Sequence, residues 1–133
     1  MNSSHTLSVS IARAPVDVAR YVADPRNLPH WAGAFCKAVR PDGDGWRVQT
    51  DEGEFGLRFH AVIENGILDH VVELGDDVQV YVPMRVVPNG GGSEVLLTLF
   101  RMPAMTAERW QHDLSMVKAD LERLRIVMES ADT

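Results

Sequence analysis

The chain has 133 residues, 45% of them hydrophobic and 24% charged, with a formal net charge of −6. That length is one ordinary domain with enough apolar content to bury a core, and the acidic balance argues against nucleic acid, whose phosphates it would repel. A lone cysteine, Cys36, excludes an intramolecular disulfide; no basic-then-apolar leader opens the sequence and no apolar run approaches a membrane span, so the expected setting is a reducing cytoplasm.

HTLSVSIA alternates, with Leu7, Val9 and Ile11 on one face, and reads as a first strand. APVDVARYVAD follows as a helix opened by Pro15, with Val16, Ala19, Tyr21 and Val22 as a rough apolar stripe. In DPRNLPHW, Asp24 is placed to cap a second, short helix that Pro25 opens and Pro29 limits. GAFCKAVRPDGDGWRVQT reads as strand, turn and strand about Asp42-Gly43-Asp44-Gly45. EFGLRFHAVI sets Phe55, Leu57, Phe59, Ala61 and Ile63 against Glu54, Gly56, Arg58 and His60, and Glu64-Asn65-Gly66 closes a hairpin. LDHVVEL is the next strand, turned by Gly75-Asp76-Asp77. VQVYVPMRVV groups Val78, Val80, Val82, Met84 and Val86 on one strand face. PNGGGS is a flexible loop, and EVLLTLFR is the last strand. Thr106 is placed to cap a long helix on which Trp110, Leu114, Val117, Leu121, Leu124 and Met128 form one continuous stripe.

Neither repeat nor linker interrupts this order, so residues 1–133 are expected to form a single domain, frayed at 1–4 and 130–133. Short loops between successive strands imply antiparallel pairing. The helix stripe needs an apolar surface, and the inner face of the sheet is the large one available. The expected fold is α+β: a curved antiparallel sheet of about six to seven strands gripping a long C-terminal helix, with two short helices after the first strand.

The segments APVDVARYVADPRNLPHWAGAF and GSEVLLTLFRMPAMTAERWQHDLSMVKADLERL carry a resemblance to the SRPBCC superfamily, the START-like, polyketide cyclase/dehydratase and birch-pollen-allergen-like helix-grip proteins. The first resembles the family's proline-opened helix followed by a D-P-x-x-x-P-x-W step; the second resembles its final strand and helix. The likeness covers roughly residues 5 to 129 and is to the small bacterial single-domain members. It implies a cavity between sheet and long helix that holds an apolar small molecule. It carries no shared catalytic motif, and the fold hosts carriers, receptors, cyclases and co-chaperones alike.

Hairpin register identifies the side chains facing such a cavity. The Gly75-Asp76-Asp77 turn pairs Leu74 with Val78, His70 with Val82 and Leu68 with Met84. The Glu64-Asn65-Gly66 loop pairs Ala61 with His70 and Phe59 with Val72. Leu99 then lies beside Val82, giving an inward row of Ala61, His70, Val82 and Leu99. His70 is the titratable member of that row, and a buried imidazole requires a partner. Asp113 and Asp120 flank the helix stripe and are candidates, as is a ligand oxygen. Three readings of His70 stay open: a satisfied core imidazole, the polar anchor of the cavity, and a general acid or base. Arg101, at the inward end of the last strand, is either solvated or a ligand for a carboxylate at the cavity mouth. Trp31 and Phe35 are placed to close one end. Phe55, Phe59, Met84, Trp110, Leu114, Val117 and Leu121 complete an apolar wall. Tyr81 and Arg85 point outward, with Asp69 or Glu73 as surface partners of Arg85. No metal or cofactor is expected: the histidines His5, His30, His60, His70 and His112 have no ligand spacing, and Cys36 reads as a buried apolar group.

Three functions fit. The first is a carrier or sensor of a hydrophobic or amphipathic, lipid- or polyketide-like molecule. The second is a cofactor-independent cyclase, dehydratase or isomerase using His70. The third is a co-chaperone-like interaction module. An exposed sheet edge also makes a homodimer one expected assembly.

Overall fold

A computed structural model describes residues 1–130. Strand β1 (Ser4–Ile11) leads into α1 (Pro15–Ala23), a 3₁₀ turn (Pro25–Asn27) and α2 (Leu28–Trp31). The strands β2 (Ala38–Asp42), β3 (Gly45–Thr50), β4 (Gly53–Phe59), β5 (His70–Gly75), β6 (Val78–Val82), β7 (Met84–Asn89) and β8 (Gly92–Phe100) follow, and α3 (Ala107–Ser130) completes the described chain. All strand pairs are antiparallel, in a sheet ordered β1-β8-β7 and another ordered β2-β3-β4-β5-β6. The expected α+β, helix-grip arrangement is the one observed.

The local signals act as expected at most junctions. Pro15 opens α1. The Asp24 carboxylate accepts the Arg26 N–H and starts the 3₁₀ turn at Pro25. Thr106 caps α3 through its hydroxyl, which accepts the Arg109 N–H at 3.1 Å. The buried face of α1 is Val18, Ala19 and Val22; Val16 is exposed and Tyr21 half-buried, so the stripe is shifted from the one read in sequence. Ser4 lies inside β1 and the Ser3 carbonyl accepts the Arg101 N–H, so strand pairing begins within the segment expected to fray. Ser130 is the last residue of α3, and the rest of the expected frayed tail, 131–133, lies outside the described residues.

Four departures from the expected pattern stand out. VQVYVPMRVV is not one strand of one sheet. It breaks at Pro83, which has no N–H to donate. Before the break, β6 pairs with β5; after it, β7 pairs with β8, and the Pro83 carbonyl accepts the Thr98 N–H at 3.0 Å. The chain thereby crosses from one sheet to the other, and splitting this segment contributes to the eight strands observed where about six to seven were expected.

The β4 pattern also stops early, at Phe59. Residues 60–69 make an excursion with a 3₁₀ turn at Ile63–Asn65 and a left-handed Gly66. A Cβ at Gly66 would lie 2.1 Å from the Val86 carbonyl oxygen, so only glycine allows this segment to lie against β7. Register across β4–β5 is therefore Phe59↔His70 and Leu57↔Val72, two residues from the Ala61↔His70 pairing expected from a tight hairpin. Ala61 is exposed.

Finally, PNGGGS is a tight turn rather than a flexible loop, since the ladder runs to Asn89↔Gly92. The β5–β6 hairpin keeps Val72↔Val80 and His70↔Val82. Leu74 is bulged out, and Gly75 takes its place opposite Val78. Asp76 and Asp77 both adopt positive φ in that turn.

The core runs along the C-terminal half of α3. Leu121, Leu124 and Met128 are buried with Val18, Val22, Ile11 and Val95, and each such side chain contributes about 1.5–3 kcal/mol. This end of the helix is tied down. The Glu129 carboxylate accepts the Ala12 N–H at 2.9 Å, and Arg13 donates to the Met128 carbonyl at 2.9 Å.

Candidate functional site

Toward its N-terminal half, α3 leaves the sheet and roofs a cavity of about 600 Å³. Phe55, Leu57 and Phe59 of β4, His70 and Val72 of β5, Val80 and Val82 of β6, and Leu97 and Leu99 of β8 line the sheet side. Trp110, Val117 and Leu121 line the helix side, and Trp31 and Phe35 stand at the α2 end. Most of the sequence-derived wall is thus brought together.

Four of its members lie elsewhere. Ala61 falls in the excursion beyond β4. Met84 passes with β7 into the other sheet, where it is 1% exposed in the core. The Arg101 guanidinium turns to the Met105 carbonyl, with donor distances of 3.2 and 3.3 Å. Leu114 is half-buried but off the wall, because the helix positions facing the cavity are those of Trp110, Asp113, Val117, Asp120 and Leu121.

His70 is on the inner face. Its partner is not a helix carboxylate but the Leu68 carbonyl, 3.0 Å from Nδ1. A carbonyl can only accept, so Nδ1 carries the proton and Nε2 keeps its lone pair. Among the described residues Nε2 has no hydrogen-bond partner. The ring lies against Phe59, with centroids 4.9 Å apart and planes at 32°. Burial in this apolar wall pushes the imidazole below its usual range, against the opposing effects of the Leu68 carbonyl and the Asp69 charge. His70 is therefore a neutral acceptor at pH 7.

Two aspartates of α3 face the cavity. Asp120 is 6% exposed and accepts the Ala34 N–H at 3.0 Å, which ties the segment after α2 to the middle of the long helix. Burial raises its carboxyl to about 6, opposed by the N–H groups of Ala34 and Phe35. Asp113 lies about two turns nearer the mouth. Burial also raises its carboxyl, against the neighbouring charge of Arg109. Asp113 Oδ1 sits 3.0 Å from Arg109 Nε as an ion pair, but the alignment gives no hydrogen bond. Arg109 donates in addition to the Glu52 carboxylate from the β3–β4 turn. Nothing in the sequence announced that Glu52 reaches α3, since the two are 57 positions apart. Cys36 is fully buried with its thiol pushed up to about 11 by burial, and its Sγ donates to the Ala38 carbonyl.

On the outer face, Asp69 is 4% exposed and has four donors. They are Tyr81 Oη, the Met84 N–H at 2.9 Å, and Arg85 through Nε at 3.1 Å and Nη2 at 2.7 Å. The sequence places Arg85 beside Asp69 as a minor surface pair. The structure instead makes Asp69 the buried centre of a network spanning the Pro83 break, because residues on both sides of that break donate to it. Among the described residues no helix is long and apolar enough to cross a membrane.

No protein-family model and no curated protein matches this chain. Solved structures do. Ara h 8.0201 superposes with a TM-score of 0.74 at 14% identity, over 98% of this chain and 100% of that one. The Aha1 dimer from Colwellia psychrerythraea gives 0.78 at 12% identity, over 98% and 99%. The di-domain ARO/CYC BexL from the BE-7585A biosynthetic pathway gives 0.74 at 14% identity, over 93% of this chain and 45% of that one. All three have the helix-grip fold of the SRPBCC type, and at these identities the likeness is one of fold.

Proposed function

We propose that this protein binds a small hydrophobic or amphipathic molecule between its sheet and the N-terminal half of α3. The observation that carries this reading is the cavity itself. About 600 Å³ lies mid-range for small-molecule sites, which run roughly 300–1,000 Å³. Its wall is largely aliphatic and aromatic, with a few polar groups at separate points, the pattern that buries an apolar body and orients it by a small number of hydrogen bonds. The asymmetry of α3 supports the reading as well. The helix packs tightly at its C-terminal end, where the core holds the fold, and stands off the sheet at the end where no core residue is needed. The likeness in fold to an ARO/CYC and to Ara h 8.0201 agrees with a cavity-based role.

Native mass spectrometry of freshly purified protein, followed by denaturing extraction, tests this. A retained small molecule, released on unfolding, is the expected result. A clean protein mass together with no uptake from a broad lipid and polyketide panel would overturn it and favour an interaction module.

A further inference from the structure

The polar groups of the cavity narrow the class of molecule it takes, an inference that rests on the binding reading above. Among the described residues four carboxylates stand along the lining, those of Asp51, Glu52, Asp113 and Asp120, against one guanidinium, Arg109. Arg109 is already engaged by Glu52 and Asp113. His112, the other basic group there besides His70, is exposed at the rim. Within the sheet wall the polar groups are Thr50, whose hydroxyl donates to the Gly53 carbonyl and accepts the Glu52 N–H, and His70, whose Nδ1–H is consumed by the Leu68 carbonyl and whose Nε2 is an acceptor without a protein partner among the described residues. Asp113 Oδ1 is buried and accepts no hydrogen bond. His70 Nε2 is the acceptor still open to a donor, while Asp113 Oδ1 is held by Arg109 Nε as an ion pair. The one buried donor without a partner among the described residues is Trp31 Nε1, a single neutral N–H.

A carboxylate ligand would bring only acceptors and a second negative charge into this wall. Desolvating an unpaired carboxylate is strongly unfavourable, and one indole N–H does not offset that. A hydroxyl supplies the missing donor, can accept from an N–H in return, and costs far less to bury. We infer that the cavity selects an uncharged, hydroxyl-bearing amphipathic molecule, its hydroxyl donating to His70 Nε2, over the carboxylate of the same skeleton.

The test is competition against a neutral apolar fluorophore, N-phenylnaphthylamine, by dodecanol, dodecanoate and dodecylamine at pH 7.5. Fluorophore uptake reports on the binding reading alone; if it does not enter, both readings fall. If it enters, dodecanol should compete about tenfold more tightly than dodecanoate, a difference of about 1.4 kcal/mol. His70→Leu should weaken dodecanol about fivefold or more relative to the fluorophore, and His70→Gln, which retains an acceptor, should restore most of the loss. Equal or tighter competition by dodecanoate, or a ranking led by dodecylamine, would overturn the inference while leaving the cavity a binding site. The wild-type ranking decides the matter even if a variant folds poorly.

Discussion

Asp69 and Asp120 are buried to nearly the same degree, 4% and 6% exposed, yet their carboxyl groups move in opposite directions. For Asp69, burial would raise the carboxyl, but Arg85, Tyr81 and the Met84 N–H together hold it down at about 2. For Asp120, burial wins and the value rises to about 6, because Ala34 and Phe35 offer only backbone N–H groups and the Lys37 charge opposes burial least of all. Burial alone therefore does not classify a buried acid; the donors around it do. The first aspartate sits where two sheets must be joined and is fully satisfied. The second sits at the cavity and is held by backbone N–H groups alone. The same contrast separates the two ends of the molecule: a closed seam about Pro83, and a cavity wall in which His70 Nε2 is still open to a donor.

The comparison can be broken most sharply at the seam. Asp69→Ala leaves three donor residues without their common acceptor and should lower stability by about 3 kcal/mol in urea unfolding at pH 7. A loss below about 1 kcal/mol would show that the seam is held elsewhere. The depressed carboxyl gives this contribution a pH signature. It is fully present above the unfolded carboxylate value, about 4, and is lost as the pH falls through about 2. Wild type and variant should therefore converge in acid.

Asp120→Asn should act with the opposite sign. A raised carboxyl means that the native state holds its proton between about pH 4 and the folded value of about 6, so stability declines as the pH rises across that window and stays down above it. Asparagine keeps an acceptor for the Ala34 N–H without the charge. It should gain about 1–2 kcal/mol over wild type at pH 7.5 and nothing at pH 4, read by urea titrations at both pH values. A loss at pH 7.5 would mean that the ionised carboxylate is a net asset to the fold. The smallest effect is expected at the exposed cluster on the cavity mouth. Arg109→Gln removes ion pairs to Glu52 and Asp113 in which the arginine side chain is 43% exposed, and should cost about 0.5 kcal/mol or less in the same assay. A cost as large as that of Asp69→Ala would erase the distinction between seam and mouth.

Periodicity and caps are local properties, and they were legible. Alternation places His70 opposite Val82 on an inner face, Pro15, Asp24 and Thr106 mark helix starts, and the α3 spacing brings Trp110, Val117 and Leu121 to the cavity. The order of these elements was enough to give a sheet wrapped on a terminal helix. The misreadings cluster where one residue's meaning depends on a distant one. Ala61 looks like a continuation of β4 until Gly66 is packed on Val86. Met84 looks like a cavity residue until Pro83 transfers it to the other sheet, although that proline was a visible signal. Leu114 fits the apolar stripe, but the face turned to the cavity is fixed by how α3 rests on the core at its far end.

The amino-acid sequence by itself determined the elements, their order and the face of each strand, because steric preference and hydrophobic alternation act over a few residues. The tertiary structure alone decided which polar groups meet. That His70 donates to its own chain at Leu68, that Asp69 gathers Tyr81, Met84 and Arg85, and that Glu52 reaches Arg109 all depend on where the strands end and the sheet bends. Hydrogen bonds and charge pairs act over about 3 Å, so a register error of two residues, which leaves a hydrophobic face intact, is enough to change every polar partner on it.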